Sequence, residues 1–125
     1  MAGLGTLSLL RAQTQIGADI NGEAAVNLAG YSVSMPNRNT IAVGAPLNDG
    51  VNGTASGHVR IYKRSGNNWI QQGNDIDGEA SNDQSGLPIS MPDTATIAIG
   101  SFLNNGNGTD AGHVRVYSWN GSNWT

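Results

Sequence analysis

The stretch Gly17-Ala18-Asp19-Ile20-Asn21-Gly22-Glu23-Ala24 returns as Gly73-Asn74-Asp75-Ile76-Asp77-Gly78-Glu79-Ala80, displaced by 56 residues. Outward from it, Ser34-Met35-Pro36 returns as Ser90-Met91-Pro92, and Thr40-Ile41-Ala42-Val43-Gly44 as Thr96-Ile97-Ala98-Ile99-Gly100, at the same displacement. Gly57-His58-Val59-Arg60-Ile61-Tyr62 matches Gly112-His113-Val114-Arg115-Val116-Tyr117 at 55, so one residue was dropped near Val51. The loss falls in a loop rich in Gly and Asn, where deletions are tolerated. Asn68-Trp69-Ile70 matches Asn123-Trp124-Thr125, which frames two units, 15–70 and 71–125, behind a leader of residues 1–14. The leader lies outside the repeat and reads as a remnant of truncation, cloning or a longer parent chain, with a short extra strand as the alternative.

Each unit carries four short strand candidates separated by turn residues. In the first unit they lie near 31–35, 40–45, 58–63 and 68–72, and they recur near 87–91, 96–101, 113–118 and 123–125. Tyr31, Val33 and Met35 alternate with serines, and Val59 and Ile61 alternate with His58, Arg60 and Tyr62. A period of two is the signature of a strand with two unlike faces. No window holds a helical period, so the chain is expected to be all-β. Repeated four-stranded antiparallel units are the pattern of propeller blades, and one blade cannot cover both of its faces without a neighbour.

Composition narrows the function classes. Charged residues are 12% of the 125, the net charge is −3, and the six Lys and Arg include a single cluster at 60–64. Nucleic-acid backbones need clustered cations, so nucleic acid is not an expected partner. The absence of Cys excludes disulfides, thiolate metal sites and a cysteine nucleophile. No apolar run reaches the roughly 18 residues of a membrane-spanning helix. There is no Gly-x-Ser-x-Gly elbow and no Gly-Lys-Ser/Thr phosphate loop, so the chain does not read as an enzyme.

Ala29-Gly30-Tyr31-Ser32-Val33-Ser34, Ile41-Ala42-Val43-Gly44-Ala45-Pro46 and Gly57-His58-Val59-Arg60-Ile61-Tyr62 together resemble the FG-GAP repeat of integrin-type β-propellers, in its bacterial and environmental form. The resemblance covers residues 15–125. It implies propeller blades completed by oligomerisation, a binding or structural role, and a parent protein that is secreted or on a cell surface. The chain departs from the pattern: Ala29 and Ser85 stand where the family has Phe, and Gly44-Ala45-Pro46 becomes Gly100-Ser101-Phe102. The family's calcium loop is replaced by Pro36-Asn37-Arg38-Asn39 and Pro92-Asp93-Thr94-Ala95, which lack alternating carboxylates, so its metal site is not carried over.

Among the remaining candidates, Asp75, Asp77 and Asp83 offer oxygen ligands for calcium, with Asp19, Asn21, Glu23 and Asn27 at the matching places. The competing reading is a turn whose side chains bond their own backbone. His58 and His113 occupy one repeat position and are expected to be structural. Trp69 and Trp124 share another and are expected to pack between blades, whereas Trp119 matches Arg64 and is the candidate exposed contact for a protein or glycan ligand. Gln15, Ile16 and Gly17 of one copy are expected to meet Asn123, Trp124 and Thr125 of another as a clasp that closes a ring. Two units per chain give an even number of blades, with a six-bladed homotrimer preferred and an eight-bladed tetramer as the other closure. The alternative is an enzyme or calcium-dependent adhesion module with its site at the ring's central channel or loops.

Overall fold

The computed structural model describes residues 13–125, so the leader lies almost wholly outside the described residues. The chain is all-β with antiparallel sheets, and the described residues contain no helix. The first sheet is built from β1 (Ser32–Asn37), β2 (Thr40–Ala45), β3 (His58–Ser65) and β4 (Asn68–Gln71), in that order. The two-residue strand β5 (Ile76–Asp77) also pairs with β3. The second sheet runs β6 (Ile89–Asp93), β7 (Thr96–Ser101) and β8 (His113–Ser118).

The sequence repeat is a repeat of hydrogen-bond register. Val33 lies opposite Val43 as Ile89 lies opposite Ile99, and Ala42 opposite Ile61 as Ala98 lies opposite Val116. Both first strands break register between the Ser and Asn or Asp that flank Met-Pro, because Pro36 and Pro92 have no N–H to give the ladder. The turns that follow are closed alike: the Asn37 and Asp93 side chains accept the N–H of Asn39 and Ala95, each at 2.8 Å. Left-handed backbone recurs at equivalent places even without glycine. Val26 and Leu28 (φ 68° and 58°) match Asn82 and Gln84 (66° and 53°). A β-branched Val pays a steric cost in that region, which its place in the repeated loop imposes.

The two units differ at their last strand and at their boundary. Asn68–Gln71 is a full fourth strand, but its counterpart is a single bridge between Trp119 and Trp124, with Ser118 and Thr125 exchanging two 2.9 Å backbone bonds. The sequence frame places Ile76 and Asp77 in the second unit as part of a turn. The backbone instead hands them to the first sheet, opposite Val59 and His58.

Between the sheets lies the core. Ala42, Val59 and Ile61 face Met91, Ile97, Ile99 and Trp124, with Ile76 at the seam. The contact is of unlike faces: one side of the first sheet meets the opposite side of the second. It is reinforced by backbone bonds from the Gly78, Asn82, Gln84 and Ser85 N–H groups to the Gly57, Thr54, Ala55 and Ser56 carbonyls, at 2.8, 2.8, 3.0 and 3.0 Å. The hydroxyls of Ser32 and Ser34 accept the N–H of Ile89 and Met91, which ties the first strands of the two units side by side.

Candidate functional site

Alternation along β3 sends Val59 and Ile61 into the core and His58 and Arg60 to the other face. There the Arg60 guanidinium grips Asp75 with both ends of its fork, Nε to Oδ1 at 2.7 Å and Nη2 to Oδ2 at 2.9 Å. Nη2 also meets Glu23 Oε1 at 2.5 Å. Gln71 donates to Asp75 Oδ1 at 2.7 Å, and His58 Nδ1 stands 3.6 Å from Asp75 and 3.7 Å from Glu23. A planar fork matched to a carboxylate is the strong form of an ion pair. β3 positions Arg60 and His58, the 17–24 loop brings Glu23, and the link from β4 to β5 brings Asp75.

The electrostatics follow from this geometry. The hydrogen bond from Arg60 holds Asp75 below the usual carboxylate range, and the same bond raises Arg60 above its ordinary value. Burial pushes Asp77 up, and the charge of Asp75 adds to it. Burial, then the nearby Arg60 charge, lowers His58, against the opposing pull of Asp75, Glu23 and Asp77.

One ligand atom each from Glu23, His58 and Asp75 lies within 4.8 Å of the other two. Arg60 already bonds both carboxylates, and its charge opposes a divalent cation placed among them. The cluster therefore reads as an ion-pair network. Of the sequence candidates for calcium, Asp75 is held by Arg60, Asp77 lies in β5, and Asp83 is buried and accepts a 2.8 Å bond from the Asn104 amide. Trp119, expected as an exposed contact, is half-buried: it packs against the core and against Trp124, ring centres 5.4 Å apart, and keeps part of its surface in water. Trp124 is buried and donates to the Gln72 carbonyl at 3.0 Å. Within one chain the clasp residues lie apart: Asn123 and Trp124 sit beside Gly73, while Gly17 sits against Trp69.

Sequence reasoning treated Arg60 as part of a basic cluster and did not join it to Glu23. The signal was present, since the Glu and the Arg are both kept in the second unit, as Glu79 and Arg115. No protein-family model matches the chain, and no curated protein is significantly similar to it.

A lowered His58 has a consequence for stability. Between its folded value and 6.5 the unfolded chain takes up a proton that the folded chain refuses, so acidification from neutral pH destabilises the fold. Asp75, lowered, adds the same sign as pH falls toward its ordinary 3.8, and Asp77, raised, opposes it there. Denaturation midpoints are thus expected to fall between pH 7 and 5 and to fall less in His58→Gln. Equal slopes in the two proteins would refute the assignment.

Proposed function

We propose that the chain is a non-catalytic repeat protein of the FG-GAP propeller type, whose two sheets are blades that associate with further copies into a closed ring. The ring would serve as a structural or binding scaffold, with its Asn- and Gly-rich loops, 47–56 and 103–111, open to a protein or glycan ligand. One observation carries the reading: each apolar face left in water is a copy of a face buried inside the chain. Val59 and Ile61 are 0% exposed, but their equivalents Val114 and Val116 are 68% and 66% exposed. On the opposite side Met91 is 3% exposed and its equivalent Met35 is 50% exposed.

Contiguous apolar faces of this kind mark interaction surfaces. The open side of the first sheet forms a groove of about 870 Å³ between Val33, Met35, Ile41, Val43, Ile20 and Trp69. Unlike faces that mate head to tail make rings where the rotation closes. Two units per chain then favour a trimer of six blades, with a tetramer of eight as the next closure, both within the usual four to eight. Light scattering at micromolar concentration tests this. A particle of three chains of 12.9 kDa each is the expected result, and a well-folded monomer would overturn it.

A further inference from the structure

The Arg60 cluster occurs once complete and once more in two separated halves. In the complete copy, Glu23, Arg60 and His58 belong to the first unit, and Asp75, held by Gln71, belongs to the start of the second. One half-copy lies on β8: Arg115 pairs with Glu79, and His113 Nε2 is 3.6 Å from the same carboxylate. Among the described residues no second carboxylate takes the place of Asp75 there. The other half-copy lies at the start of the first unit, where Gln15 donates to Asp19 Oδ1 at 2.9 Å, as Gln71 does to Asp75, with no arginine between them.

Resting on the assembly reading above, we propose that Asp19 of a second copy completes the Arg115–Glu79–His113 cluster, with residues 19–29 of that copy docked along β8 and the 109–112 loop. The backbone supplies a second, independent match. Asp19-Ile20-Asn21 is the repeat equivalent of Asp75-Ile76-Asp77, so Ile20 and Asn21 are placed to pair with Val114 and His113 as β5 pairs with Val59 and His58. Beyond that pairing, the N–H groups of Gly78, Asn82, Gln84 and Ser85 bond the carbonyls of Gly57, Thr54, Ala55 and Ser56. Their equivalents are the N–H groups of Gly22, Val26, Leu28 and Ala29 and the carbonyls of Gly112, Thr109, Asp110 and Ala111. Among the described residues, none of these donors or acceptors has a backbone partner. Donors stand on one end of the chain and acceptors on the other, in the same order and spacing as the bonded set.

The occupant is thus a second copy, added by strand pairing along an edge and fixed in register by one ion pair. Strand addition supplies affinity through the main chain and leaves side chains to choose the partner. Asp19 chooses by charge: in the complete cluster its repeat equivalent, Asp75, engages two nitrogens of the Arg60 fork.

The experiment is a charge-swap cycle on the full chain, read by concentration-dependent light scattering with circular dichroism as a control for folding. Asp19→Arg and Arg115→Asp are each expected to raise the half-dissociation concentration by about tenfold or more, as for close charge pairs across interfaces. The double variant is expected to recover much of the loss, because the pair is restored with its signs exchanged. Asp19 and Arg115 are both exposed in the single chain, so the folded signature should persist in all three. Val116→Asp separates the two ideas. If it dissociates the particle while Asp19→Arg and Arg115→Asp leave it unchanged, or if the swap recovers nothing, the ion-pair proposal is overturned and the assembly stands. A monomeric parent chain would overturn both.

Discussion

Ile61→Ala is expected to cost about 2–5 kcal/mol of folding stability, while Val116→Ala, at the same repeat position, should cost the isolated chain under about 0.5 kcal/mol. Ile61 is fully buried between the sheets, against side chains of β6 and β7, and its removal leaves a cavity that two sheets already tied by backbone bonds can close only in part. Val116 stands on the outer face of β8 and touches water. Repeat position and strand register are matched between the two, and Ile61 exceeds Val116 by a single methylene, worth about 1 kcal/mol when buried, so most of the contrast is burial. Urea denaturation of dilute protein measures both changes. Comparable losses at the two sites would mean that the outer face of β8 is already covered in the single chain.

Gly44→Ala is expected to cost about 3 kcal/mol or more, at the upper end for overpacking. A Cβ on Gly44 would overlap the carbonyl oxygen of Gly86 in the second unit, and its next neighbours are Gly86 backbone atoms. Backbone cannot swing aside as a side chain can. The only relief is to part the sheets, which would strain the bonds from Gln84 and Ser85 to Ala55 and Ser56. Gly66 supplies the control. It sits at φ 61° in the β3–β4 turn with open space around its Cβ direction, so Gly66→Asn carries backbone strain alone, about 1–2 kcal/mol, and should cost less than Gly44→Ala. A mild effect at Gly44 would show that the sheets are not held at this separation.

Much of the fold was legible because it depends on neighbours along the chain. Alternation at 40–45 and 58–63 located β2 and β3 closely, and the turn after β3 lies one residue beyond the expected Ser65-Gly66, at Gly66-Asn67, because Ser65 still pairs with Asn68. The first strands begin and end one or two residues later than their alternation suggests, because Met-Pro is carried inside the strand as an irregularity. The stretch around Asp75 was misread as a self-contained turn. Its partners are Arg60 and Val59, 15 and 17 residues away, and no local pattern announces a two-residue strand. The packing of Trp119, which is half-buried, was hidden for a related reason. Its repeat equivalent is an arginine, which hid a ring that packs on Trp124.

By itself the sequence determined the duplication, the one-residue difference between the copies and the all-β character. These rest on alternation and turn chemistry, which act over a few residues and are read identically in both copies. Only the tertiary structure decided that the copies would cease to be equivalent. Stacking one sheet on another buries one face of each and leaves the other in water, so identical residues acquire opposite environments. The same stacking carries Asp75 across the repeat boundary to Arg60 and leaves Asp19 beside Gln15 with no arginine. A repeat has no first or last member until it is packed, and packing is a relation between units that no single unit encodes.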